Sequence, residues 1–226
     1  MNIRPCVMTL FAAALLCGAT VAGAAGPPAS WDGLELRKVK GLDAVYVRPG
    51  VEFKAYRTLY LDPVEVAFDK DWNPNSSSRG ASGRLSAADI ESIRSEMASE
   101  FQRIFAEQLA KGGYRVVDRP GEDTLQVSAG LADVYIAAPD KPTSGRSYTF
   151  TVSAGRMTLV MELRDGPTAQ LLARVVDRHV GRDNATLSIT NGVTNSAEFR
   201  RAVQGWADKL VQALDRVAGQ AGQAQR

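Results

Sequence analysis

Five side chains are candidates for chemistry or for holding a partner: Arg48, Asp62, Glu65, Asp69 and Asp71. Four carboxylates so close together could ligate a divalent cation through oxygen, or act as an acid/base pair on a hydrolysable substrate. Their spacing argues for neither. A calcium loop needs regularly placed oxygens, a glycine and a distal glutamate, and Asp69-Lys70-Asp71-Trp72 supplies no such series. On a strand Asp62 and Glu65 point to opposite faces unless a bulge re-aims one of them. The group therefore reads first as a solvated strand edge. Arg48 precedes Pro49-Gly50, a turn pair in which proline presets φ and glycine accepts a positive one. Its guanidinium could grip a carboxylate or phosphate bidentately, and an internal pair with Asp62 is the simpler expectation.

His179 is the sole histidine, so a multi-histidine metal site is excluded. A Ser-His-Asp arrangement with Asp177 lacks a G-x-S-x-G elbow, and Asp177 sits two residues away on the same strand face. A cross-strand polar position explains His179 better. There is no phosphate-cradling G-x-x-x-x-G-K-[ST] loop and no dinucleotide G-x-G-x-x-G, and Met157 and Met161 follow strand alternation, not a metal motif. No catalytic, metal or cofactor-binding residue is expected.

The start of the chain carries an address. Arg4 is followed by the apolar run Val7–Leu16, then by small residues, and the next charge is Asp32. These are the parts of a secretory signal peptide, with Ala22-Gly23-Ala24 as an A-x-A cleavage site. Cleavage after Ala24 leaves 202 of the 226 residues. Cys17 raises lipidation as the minority alternative, and hence an outer-membrane lipoprotein, but bulky Leu16 occupies the place where a lipobox needs a small residue. Both cysteines, Cys6 and Cys17, fall within the expected signal, so the mature chain has no disulfide and no thiol nucleophile. Without Arg4 the chain has 26 basic and 25 acidic residues, and no basic stripe with interleaved aromatics speaks for nucleic acid.

Elements that could position these residues follow from periodicity. Residues 25–43 read as an N-terminal arm leading into a strand at Ala44–Val47. Arg57–Phe68 reads as one strand whose apolar phase changes at Pro63, as at a bulge or edge. Asn73–Gly83 is a polar loop. Ser86 and Asp89 form a capping box for a helix burying Ile90, Ile93, Met97, Phe101, Ile104, Phe105 and Leu109, stopped by Gly112-Gly113. Strands follow at Tyr114–Val117 and Leu125–Ile136, with a further candidate at Tyr148–Val152. Met157–Leu163 and Leu171–Val180 form a hairpin turned by Asp165-Gly166. Asn195 opens a second helix, burying Phe199, Val203, Trp206, Leu210, Leu214 and Val217, and 219–226 reads as a flexible tail. The expected fold is α+β: a single two-layer domain over 44–218, a mostly antiparallel sheet packed against two amphipathic helices.

The block Ala44-Val45-Tyr46-Val47-Arg48-Pro49-Gly50, with Tyr56-Arg57 and Leu61-Asp62-Pro63-Val64-Glu65-Val66-Ala67-Phe68, resembles a bacterial domain-of-unknown-function family of small envelope proteins, often lipoproteins. Trp31-Asp32-Gly33-Leu34 and Asp69-Lys70-Asp71-Trp72 fit the same likeness, which spans about residues 31–220 and is most specific over 44–72. The resemblance implies an envelope location and no reaction or cofactor, and the chain departs from the lipoprotein members at the lipobox. The expectation is a non-enzymatic periplasmic protein that binds another protein or an envelope component, with Arg48, Asp62, Glu65, Asp69 and Asp71 as its interaction residues. Two alternatives remain: a hydrolase using the Asp62–Asp71 group with His179, and a small-molecule carrier, which would need an apolar pocket between helices and sheet.

Overall fold

The computed structural model describes residues 26–51, 56–75, 84–136, 155–180 and 192–224, with side chains of the last helix described over 198–216. The strands are β1 (Ser30–Trp31), β2 (Leu34–Arg37), β3 (Ala44–Val47), β4 (Thr58–Leu61), β5 (Glu65–Phe68), β6 (Arg115–Val117), β7 (Thr124–Tyr135), β8 (Arg156–Asp165) and β9 (Leu171–Val180). The helices are α1 (Ala87–Lys111) and α2 (Gly192–Ala224). One sheet runs in the order β1-β2-β3-β9-β8-β7-β4-β6, with β5 also on β7.

The α+β class holds, and the sheet, antiparallel in most of its pairings, is mixed: its β4-β5-β6 part is parallel. The run from β1 to β7 is antiparallel at every step, whereas β4 and β5 lie parallel to β7, and β6 parallel to β4. Parallel neighbours need a long crossover, and α1, standing between β5 and β6, provides it. The stretch expected as one strand from Arg57 to Phe68 is two. Pro63 has no N–H to give the ladder, and β4 ends before it while β5 starts after it, both following the same edge of β7. Two short strands, β1 and β2, lie where an arm was expected.

The helices and hairpin match their sequence signals. Ser86 Oγ accepts from Asp89 N–H while Asp89 accepts from the Ser86 backbone, closing the capping box. Gly113 (φ +85°) takes the chain out of α1 into β6. The phase shift in β7 is a bulge: register slips between Ala132 and Tyr135, with Asp133 at φ +50°. α2 starts three residues before the expected Asn195 and runs through Ala224, into the expected tail. The candidate strand Tyr148–Val152, most of the Asn73–Gly83 loop and the signal segment lie outside the described residues.

The main core lies between the helices and one face of the sheet. Met157, Leu159, Met161 and Leu163 of β8 and Leu125, Val127, Ala129 and Leu131 of β7 meet Phe101, Phe105, Leu109, Phe199, Val203, Trp206 and Leu210 there. A smaller cluster of Leu34, Ala44, Tyr46 and Leu171 lies apart from it, at the β2 and β3 end of the sheet.

Candidate functional site

The nominated residues are scattered and mostly occupied. Arg48 Nε donates to Leu171 O at 2.6 Å, and its backbone N–H donates to Leu172 O at 2.9 Å. Arg48 therefore locks the end of β3 onto β9 and does not pair with Asp62. Asp62 accepts two hydrogen bonds from Gln126 Nε2 (2.8 and 3.0 Å) and one from Ser128 Oγ, both on β7. The expected Arg48–Asp62 pair is thus absent, because β9, β8 and β7 stand between their strands.

Asp69 accepts from Asp71 N–H (2.8 Å) and from an Arg156 guanidinium nitrogen on β8. The Asp71 bond, and then Arg156, hold the Asp69 carboxyl below its usual range. This turn is tied down twice more, by Asp69 N–H to Val134 O (3.0 Å) and Trp72 Nε1–H to Ile136 O (2.9 Å). Asp71 itself is exposed, and Glu65 faces an open groove of about 530 Å³ between β5 and α1, with Glu91 and Arg94. Among the described residues, no three His, Cys, Asp or Glu side chains stand together as a metal site.

His179 lies at the same end of the sheet as Asp69, but on β9, with β8 and β7 between β9 and β5. Three strand spacings make about 14 Å, too far for joint acid/base work on one bond. The imidazole stands edge-on to Trp206, ring centroids 6.3 Å apart, and its Nε2 is buried with no hydrogen-bond partner among the described residues. Burial pushes its pKa down, opposed by Glu198 and Asp177 and aided by Lys209. Asp177 accepts from Trp206 Nε1–H (2.7 Å) and Asp43 N–H (3.0 Å), so it anchors α2 and the β2–β3 loop to β9.

Two features went unread in the sequence. The first is a polar network centred on the β8–β9 hairpin. Glu162, 7% exposed, accepts from Arg174 (2.6 and 3.0 Å) and Arg164 (2.6 Å). Arg174 also reaches Asp32 at 2.7 Å and lies over the Trp31 ring, 4.1 Å from its centroid. Burial works to raise the Glu162 carboxyl, and the hydrogen bonds from Arg174 and Arg164 outweigh it, leaving its pKa lowered. Hairpin register was the available signal, since it sets 162 opposite 174. The network pins the β1–β2 end of the chain to the hairpin.

The second is an apolar cleft of about 300 Å³ between α2 and the β3-β9-β8 part of the sheet. Val45, Leu159, Met161 and Val175 form its sheet side, and Trp206 and Leu210 its helix side. Its charged lining residues among those described are Lys209 and Arg216, both on α2. This size is at the lower limit of small-molecule sites, and an apolar wall with few polar groups is their usual make-up.

Fold and site together define an α+β protein whose mixed sheet carries two packed helices and a ligand-sized apolar cleft beneath the second. The chain belongs to the family of proteins of unknown function DUF3313, whose model matches residues 26–210. The resemblance read from the sequence holds at that level, a family without an assigned activity. No curated protein matches. Among solved structures, a PelC dodecamer from Paraburkholderia phytofirmans is similar at 13% identity over 69% of this chain and 94% of that one, TM-score 0.30. A DUF4136 family protein from Bacteroides thetaiotaomicron is similar at 11% identity over 76% and 97%, TM-score 0.30. A putative lipoprotein from Caulobacter crescentus is similar at 12% over 71% and 92%, TM-score 0.27. Likenesses this remote carry no functional conclusion. No helix among the described residues is long and apolar enough to cross a membrane.

Proposed function

We propose that this is a non-enzymatic protein of the bacterial cell envelope that binds an envelope component in the cleft under α2. The observation that carries the reading is the cleft itself. A packed interior ordinarily leaves few voids larger than a water, so about 300 Å³ of apolar space beside a helix is room for a guest. The nominated polar residues point the same way, because Arg48, Asp62 and Asp69 are bonded within the fold. Export rests on the signal-like segment before Gly26. A hydrolase built on Asp69 and His179 is disfavoured by the two intervening strands.

A photocrosslinking residue at Ala213, exposed on α2 beside the cleft, tests this in intact cells against the same residue at exposed Asp71. The expected result is an adduct from position 213, identified by mass as an envelope component, and none from position 71. Exported protein that forms no adduct at 213 overturns the reading.

A further inference from the structure

We infer that the cleft takes a single-chain amphiphile with an anionic head, a free fatty acid, lying along α2 with its carboxylate at the Arg216 end. This rests on the binding role proposed for the cleft and names the ligand class.

Shape supplies the first argument. The α2 residues of the cleft run from Trp206 to Arg216, ten steps of about 1.5 Å, which makes a slot about 15 Å long. A volume of about 300 Å³ spread over that length makes an elongated slot. An extended alkyl chain lies lengthwise in such a slot with its carbons at contact distances of about 3.5–4.0 Å from the walls.

Charge supplies the second. Among the described residues, the ionisable lining groups are two cations, seven residues apart on α2 and so about 10 Å apart along one helix face, and no carboxylate lines the slot. Lys209 is among the lining residues, with its ammonium held at β9. Its ammonium donates to Gly41 O and lies 3.4 Å from Asp177 Oδ2, which leaves one of its three protons for a guest. Arg216 is exposed, with Nε donating to Gln212 O at 3.1 Å, and a guanidinium is well suited to a carboxylate. The plain alternative is that both cations only solvate the helix surface, and then head-group charge would not affect binding.

The experiment uses the chain from residue 25 onward and displacement of a dansyl-labelled fatty acid by octanoate, decanoate and dodecanoate, all below their micelle concentrations. Affinity should rise about fourfold per added methylene until the slot is filled. Dodecanol and dodecylamine should bind more weakly than dodecanoate, and a two-chain phospholipid should not compete. Arg216→Glu should weaken dodecanoate roughly two- to fivefold while leaving dodecanol unchanged. Ala213→Trp, at an exposed position, should block the whole series with thermal stability kept. Equal binding of the alcohol, the amine and the acid, or affinity independent of chain length, overturns the inference. If no member binds but position 213 still captures an envelope component in cells, the ligand class falls and the binding role stands. If neither occurs, both fall.

Discussion

A carboxylate satisfied by its own strand neighbours has little left to offer a guest, and this governs Asp62 and Asp69. Asp62 is held by β7, and Arg48 by β9. Four strand spacings of about 4.8 Å put their strands about 19 Å apart. Arg48→Ala and Asp62→Ala should therefore destabilise additively, within about 0.5 kcal/mol in a double-mutant cycle by denaturant unfolding. Coupling above about 1 kcal/mol would contradict the geometry. The sequence set these residues near one another in number, and strand order separated them. His179 carries a different consequence. Burial disfavours the charged imidazole in the folded state, opposed by Glu198 and Asp177 and aided by Lys209, so its folded pKa lies below the ordinary 6.5. As pH falls through about 6.5 the unfolded chain takes up the proton first, and stability declines. Melting temperature should drop between about pH 7 and pH 5.5, and His179→Gln should flatten that drop. A slope unchanged by the substitution would assign it to other groups.

At the scale of elements, what was legible is what is local. The capping box, the 3.6-residue apolar stripe of α1 and the alternation of β8 each lie within a few neighbouring residues, and each forms as its pattern predicts. Phe101, 1% exposed, stacks on Phe105 at 5.2 Å and leans on Trp206 at 6.3 Å. Phe101→Ala should cost about 3–5 kcal/mol, measured by chemical denaturation. What stayed hidden depends on remote partners. Ser30-Trp31 has no strand signal of its own and becomes β1 because Leu34-Glu35 pairs with it. The parallel sense of β4 and β5 is fixed by α1 as a crossover, and no pattern within Arg57–Phe68 records it. The cleft is likewise a product of packing, since its lining comes from three strands, a loop and a helix. The Asp165-Gly166 turn was legible as a turn, but not why it needs glycine. A Cβ on Gly166 would meet Thr124 O at 2.6 Å, a backbone atom that cannot move aside. Gly166→Ala should lower stability by about 1–3 kcal/mol in the same assay, with Ala169 to Gly, a turn position at φ +55°, as the tolerated control.

For the whole molecule, the envelope reading makes one biochemical demand. The A-x-A site should be used in preference to the weak lipobox, so the mature protein should start near Ala25 and incorporate no fatty-acid label. Label that appears, and that Cys17→Ser removes, would make it a lipoprotein. The sheet has a consequence for how such a chain reaches its native state. β3 hydrogen-bonds β9, joining Ala44 to Val176 across 132 positions of sequence, and β9 also closes on β8. Closing so long a loop costs little in final stability, because the entropy grows only with the logarithm of length, but it slows the search. A chain that emerges from its N-terminus has made β1, β2 and β3 long before their partner exists. Residue 171 onward is therefore a completion signal written into topology: until β9 arrives, the first half of the sheet has an open edge, and an unfinished copy is distinguishable from a finished one by any protease that reads exposed strands.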